Sequence, residues 1–243
     1  MRDLFAALLF CAAALAAPHA ARGSGPVAVE LFTSQGCSAC PPADALLGEL
    51  SGRPDVVALA LHVDYWDYLG WRDVFASPAN TRRQRAYVAR LGQRSVFTPQ
   101  AVVDGRASVV GSRKVELLEE IALAAAMPDA VSVALTRVDG AVRVALTPRI
   151  EGAGEARILF FVYERPQRVS IAGGENAARR LVYHNAVRDF WSLGTWRGGA
   201  MELSAPRPED ARGVAVLVQR RDGAILGAQK LEFEAAPISR TID

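Results

Sequence analysis

The chain has 243 residues, 51% of them hydrophobic and 22% charged, which is the profile of a globular protein and excludes a disordered or fibrous one. That length accommodates one large domain or two ordinary ones. A formal net charge of +2 is too small to point to nucleic acid or an anionic membrane surface as partner.

In chain order, Arg2 precedes an uncharged run of 14 residues, Leu4 to Ala17 (LFAALLFCAAALAA). A membrane-spanning helix needs about 20 apolar residues, so the run reads as the apolar region of a secretory signal over residues 1–22. Ala14-Leu15-Ala16 fits the small-x-small rule for cleavage, whereas a cut after Ala20 sets Pro18 at an unfavourable position. The expectation is a periplasmic or secreted protein with no membrane insertion once the signal is removed. Cleavage also removes Cys11, leaving the pair Cys37 and Cys40 in a compartment where disulfides persist. A bridge across two intervening residues constrains the unfolded chain little, so its reason is sought in chemistry.

Val27 to Phe32 (VAVELF) predicts a strand, followed by a Thr-Ser-Gln-Gly loop and Cys37-Ser38-Ala39-Cys40. Pro41 and Pro42 are tolerated only in a first helical turn, so a helix starts at or just after the cysteines, with Leu46, Leu47 and Leu50 at helical spacing. Val56 to Val63 is almost continuously apolar, as in a central strand covered on both faces. An aromatic stretch, Tyr65 to Phe75, has no clear period. Ser77 then caps a helix with Pro78 at its first position, ending at Leu91-Gly92. Thr98-Pro99 leads into a strand at Gln100 to Val103, and Asp104-Gly105 predicts a hairpin returning through Ala107 to Val110. Ser112 is the expected cap of a last helix running to Met127, before Pro128.

From Ala130 onward strand-like runs dominate (VSVALTRV, AVRVALTP, ARILFFVYE, RLVYHNAV, GVAVLVQR, AILGAQKLEF), with Asp139-Gly140 and Asp222-Gly223 at hairpin positions. The expected architecture is therefore an α/β domain over residues 26–127, ordered β-α-β-α-β-β-α around a mixed sheet. A mostly antiparallel, β-sandwich-like domain follows over residues 129–236.

A cysteine at a helix N-terminus feels the positive end of the helix dipole, which favours the thiolate, the nucleophile of disulfide exchange. Cys37 is expected to be the more exposed and lower in pKa, and Cys40, one turn along, to resolve a mixed disulfide. Two other readings compete. One is an inert local disulfide. The other is a zinc or copper site, for which Cys37, Cys40, His62 and His184 are too few and too dispersed.

The order β-α-β-α-β-β-α, Cys37-Ser38-Ala39-Cys40 after the first strand and Thr98-Pro99 before the third resemble the thioredoxin fold over roughly residues 27–127. More narrowly, VELFTSQGCSACPPADALL, HVDYWDYLGW, TPQAVVDG and GENAARRLVYHNAVRDF are similar to a family of secreted thioredoxin-like proteins of unassigned function. The resemblance implies that Pro99 is a cis-proline beside the disulfide and that Thr98 faces substrate. It also sets Glu30 near a position where thioredoxins carry a buried acid, able to take the proton from Cys40, against the plainer reading of a solvated side chain. Two departures stand out: a longer interval between Cys40 and Pro99, and Gly36 where thioredoxins carry tryptophan.

His62 and Asp64 end the second strand on the cysteine side, where they are candidates to shuttle protons or line a substrate groove, against the more ordinary reading of His62 as a satisfied structural histidine. Trp66, with Tyr65, Tyr68 and Trp71, is a candidate peptide platform or, as the more ordinary fate of such aromatics, part of the core. Arg82, Arg83, Arg85, Arg90 and Arg94 read as a solvated helix face, and Tyr183-His184-Asn185, Trp191 and Trp196 carry no assigned chemistry. The expectation is an exported thiol–disulfide oxidoreductase acting on protein or peptide thiols. It needs no metal or organic cofactor beyond the redox-active pair, and depends on an external redox partner because no other mature cysteine exists. The alternatives are a non-catalytic binding or assembly module with a structural disulfide, and a copper or zinc metallochaperone.

Overall fold

The computed structural model describes residues 25–233; the expected secretory segment at 1–22 and the last positions of the expected second domain, 234–236, lie outside the described residues. The chain is mixed α/β, with mostly antiparallel sheets. In its first half the elements are β1 (Val27–Thr33), α1 (Pro41–Ser51), β2 (Val56–His62), α2 (Pro78–Arg90), β3 (Gln100–Val103), β4 (Ala107–Val110) and α3 (Lys114–Ala125). They form a sheet of order β2-β1-β3-β4, in which β1 runs parallel to β2 and antiparallel to β3.

The second half contains β5 (Val131–Val138), β6 (Ala141–Pro148), β7 (Ala156–Tyr163), β8 (Gln167–Ser170), β9 (Arg180–Tyr183), β10 (Val187–Trp196), β11 (Met201–Pro206), β12 (Gly213–Arg220) and β13 (Ile225–Glu232). A four-stranded sheet, β10-β7-β12-β13, faces a three-stranded one, β11-β6-β5, and β8 and β9 pair as a separate ribbon.

Side-chain alternation explains the layering. Along β1, Val27, Val29 and Leu31 point to α1 and α3, where they meet Leu46, Leu47, Leu117 and Ile121. Ala28 and Phe32 point the other way, into a core shared with Leu159, Phe161, Ala215 and Leu217 of the β10-β7-β12-β13 sheet. That sheet turns its opposite side, Ile158, Phe160, Val216 and Val218, toward Val131, Val144 and Leu146. Strands β7 and β12 are thus covered on both faces, which is why ILFFV and VAVLV are continuous apolar runs.

Local signals and outcome agree at several points. Pro41 and Pro42 occupy the first helical turn after Cys40, and the Ser77 hydroxyl accepts the Asn80 N–H with Pro78 following. Elsewhere the structure differs. Strand β2 is buried at every position yet lies at a sheet edge, not at its centre. Its edge is covered by Asn185, whose carbonyl accepts the Ala60 N–H (3.0 Å) and whose side chain donates to the Ala58 carbonyl (2.8 Å). The same residue, at φ 49°, divides the expected strand RLVYHNAV into β9 and β10. The last helix is entered from Arg113 with no side-chain cap, and Ser112 lies outside it.

Candidate functional site

Thr33 is the last residue of β1, and the chain then turns through Ser34–Ser38 before entering α1. The Cys37 N–H donates to the Ser34 carbonyl (3.2 Å) and the Cys40 N–H to the Cys37 carbonyl (3.2 Å), a tight turn that brings the two Cα atoms to 5.4 Å. Cys37 and Cys40 form a disulfide at the start of α1, with Cys40 as the residue flanking its first turn. Both are buried, Cys37 at 1% exposure and Cys40 at 0%, so Cys37 is not the exposed member of the pair as anticipated; Ser38 and Ala39 are the exposed ones.

The Thr98–Pro99 peptide is cis. Pro99 lies beside the start of α1: a Cβ on Gly111 would touch Leu31, Ala43 and Pro99 together. Thr98 is half-buried and its hydroxyl accepts the Trp66 indole N–H (2.9 Å), while Trp66 also lies against Gly36, at 3.1 Å from where a Cβ there would stand. A larger residue at position 36 would press on the Cβ and carbonyl oxygen of Trp66, which occupy the flank of the turn from another element. Of the other aromatics, Tyr65 and Trp71 are half-buried and Tyr68 is exposed.

Beneath the turn lies a buried polar cluster. His62 and Thr33 are register partners at the ends of β2 and β1, both on the α1 side of the sheet. The His62 Nδ1 meets Asp73 Oδ2 at 2.7 Å, between the rings of Phe75 and Tyr183. Asp73 also accepts the Gln35 and Phe75 N–H groups. Burial alone would depress the His62 pKa, but the Asp73 charge and hydrogen bond, with help from Asp44, raise it; burial likewise opposes ionisation of Asp73, which His62 and the two N–H groups nevertheless hold below its usual value.

Asp44 sits one helical turn beyond Cys40 and accepts the Thr33 hydroxyl at 2.7 Å. Its pKa is pushed up to about 6, chiefly by burial. The second Asp44 oxygen, the His62 Nε2 and the Tyr183 hydroxyl are buried without a hydrogen-bond partner among the described residues.

Three expectations need correcting. Glu30 does not approach Cys40: it shares its face of β1 with Ala28 and Phe32, away from α1, where Arg83 holds its carboxylate at 2.6–3.0 Å and in turn reaches Gln219 and Tyr87. His62 lines no surface groove, being wholly buried. Asp64 ties the end of β2 to α2, accepting the Thr81 hydroxyl at 2.6 Å, and takes no part in the cluster.

Sequence reasoning missed the contribution of the second half. A segment between β8 and β9 crosses over the disulfide turn. The Asn176 amide donates to the carbonyls of Gln35 (2.9 Å) and Cys37 (2.8 Å), and Glu175 accepts both the N–H (3.0 Å) and the hydroxyl (2.6 Å) of Ser38. Gly173 and Gly174 let this segment approach Gly70, Trp71 and Gly36. The signal was present in GENAARR, a glycine-acid-amide run with no strand pattern. Its partner, some 140 residues earlier, was not. Among the unassigned residues, Tyr183 joins the cluster, His184 packs on Gly48 of α1, and Trp191 and Trp196 belong to the core of the second half. No group of three or more His, Cys, Asp or Glu gathers at metal-binding spacing among the described residues.

The family model for a protein of unknown function, DUF1223, matches residues 28–219, which span nearly all of both halves. The chain belongs to the DUF1223 family. This DUF1223 chain is similar to a crystal structure of an Agrobacterium tumefaciens protein, at 33% identity over 88% of this chain and 97% of that one, with a TM-score of 0.77. It also matches HBP35 of Porphyromonas gingivalis at 14% identity over 91% of this chain and 79% of that one, TM-score 0.59, a likeness of fold alone. No functionally curated protein matches this DUF1223 member.

Proposed function

We propose that the protein is an exported thiol–disulfide exchange protein with a thioredoxin-like first half, acting on protein or peptide thiols in the periplasm or outside the cell. One observation carries the reading: a Cys-x-x-Cys disulfide at the N-terminus of α1, with the cis-proline Pro99 beside the first turn of that helix. The parallel β1-β2 pair, the antiparallel β3-β4 hairpin and the two helices on one face support the same fold.

In the reducing direction, the Cys37 thiolate attacks a substrate disulfide, forming a mixed disulfide and releasing one substrate thiolate. The Cys40 thiolate then attacks the Cys37 sulfur, releasing the second. Two electrons pass to the substrate, and an external dithiol must return them. Asp44, one turn from Cys40 and ionising near pH 6, is suited to accept the Cys40 proton, a role Glu30 is paired away from. Access requires the contacts of Glu175 and Asn176 to part.

That closed arrangement also favours a second reading, a binding or assembly module whose disulfide is structural. One experiment separates the two. The oxidised protein is equilibrated with glutathione redox buffers, and Cys40→Ala is presented with a peptide disulfide. A measurable potential and a trapped mixed disulfide on Cys37 are expected. A pair that reduces only when the protein is unfolded, with no trapped adduct, overturns the exchange reading in favour of the structural one.

A further inference from the structure

The arginines of α2 read in the sequence as a solvated face, but the fold gives three of them company. Arg82, Arg83 and Arg90 face the β7 and β12 side of the second sheet, where Arg157, Arg220 and Arg221 come to meet them. Two adjoining cavities, of about 330 and 470 Å³, share Arg90, Arg157 and Gln219 and so form one furrow.

Its charges do not cancel. Arg83 is committed to Glu30, and Arg220 to Asp222. The one carboxylate on the furrow wall, Glu155, lies 3.6 Å from Arg197 outside it. Arg82, Arg90, Arg157 and Arg221 form no ion pair with any described carboxylate. Six guanidinium groups against Glu30, Asp222 and Glu155 leave an excess of three, larger than the net +2 of the entire chain. Arg82, Arg90, Arg157 and Arg221, drawn together from a helix, a strand and a turn, repel one another, and folding gains nothing from their convergence.

The furrow is also fixed in shape. Arg83 and Gln219 are buried in it, hydrogen-bonded to each other and to the Tyr87 hydroxyl. The Arg83 guanidinium lies 5.1 Å from the Phe161 ring and 5.7 Å from Phe190. The stem of Arg90 rests on Gly223, where a Cβ would stand 3.1 Å from it. Guanidinium forks bind phosphate-like oxygens bidentately, and cavities of about 300 Å³ or more suffice for a small ligand.

We propose that the furrow between α2 and the β7–β12 face is a binding site for a compact ligand bearing two or more adjacent phosphate-like charges. It shares no residue with the disulfide turn and stands independently of the exchange reading.

The test uses inorganic pyrophosphate and the mature protein in isothermal titration at low ionic strength. Saturable one-site binding is expected, weakened by added salt. Loss of at least about tenfold in affinity is expected in the double variant Arg90→Gln/Arg157→Gln, and little change in the control Arg137→Gln/Arg143→Gln, two exposed arginines of β5 and β6. Pyrophosphate should also protect Arg90 and Arg157 of the unaltered protein from phenylglyoxal. Absence of saturable binding overturns the proposal, as does equal weakening in both double variants, or modification of Arg90 and Arg157 unaffected by the ligand.

Discussion

Asp44→Asn isolates the electrostatics beneath the disulfide. Asp44 is buried, and its pKa rises from 3.8 to about 6 mainly because its charged form loses hydration. In the folded state it therefore holds its proton more tightly than in the unfolded chain. The resulting contribution to stability is fully present below pH 3.8 and is lost as pH rises through about 6. At about 1.36 kcal/mol per unit, that shift corresponds to a loss of about 3 kcal/mol between acid and neutral pH. Asparagine keeps the shape and the acceptor for the Thr33 hydroxyl but cannot ionise. His62 loses the smallest of the contributions that raise its own pKa, which trims the difference. Relative to the unaltered protein, the variant should gain about 2–3 kcal/mol on going from about pH 4 to about pH 7.5. Urea unfolding of the oxidised proteins across that range measures it. Parallel stability curves for the two proteins would refute the reasoning, since they would mean that Asp44 titrates alike when folded and unfolded.

Glu30→Gln leaves the Arg83 guanidinium buried without its counter-charge, and should cost about 3–5 kcal/mol in the same unfolding assay, at neutral pH and with the disulfide intact. Asn176→Ala removes the two bonds that hold the Gln35 and Cys37 carbonyls. At about 0.5–1.5 kcal/mol for each bond lost, reduction of Cys37–Cys40 by dithiothreitol should quicken by about tenfold, monitored by thiol labelling of the folded protein. Gly105→Ala meets both a φ of 64° and a Cβ only 1.9 Å from the Gly223 carbonyl. The β3–β4 turn would have to move off the β12–β13 turn, lowering the thermal midpoint by several degrees.

Where a signal lies within a few residues of its effect, the fold could be read in advance. Ser77-Pro78 starts α2 because the hydroxyl and the missing N–H act on the next turn alone. Asp104-Gly105 turns the β3–β4 hairpin because both residues take positive φ, 46° and 64°. Glu30 misled because alternation along β1 groups it with Ala28 and Phe32 without telling which side α1 takes. Asp44 resembled any acid in a first helical turn; only the burial of Thr33 and His62 beneath it makes it unusual. Gln35 and Asp73 had no local mark at all, and Glu175 and Asn176 had only a run without strand pattern that named no partner, since these roles come from contacts between segments far apart in sequence. Asn185 ended a promising strand for the same reason: its conformation serves the edge of β2, not its own neighbours.

The sharing of Ala28, Phe32, Leu59 and Leu61 between two sheets bears on how this chain can be cut. A break after Pro128 separates the helical half from the all-β half at a natural-looking seam, yet it strips an apolar wall from the first sheet. A fragment ending there would expose those side chains to water and is expected to associate or precipitate instead of behaving as a portable domain. The all-β half is, in this sense, the roof of the disulfide-bearing half and not a passenger beside it. Any insertion or deletion that tilts one sheet on the other should be felt at Asn176, and so at the cysteines.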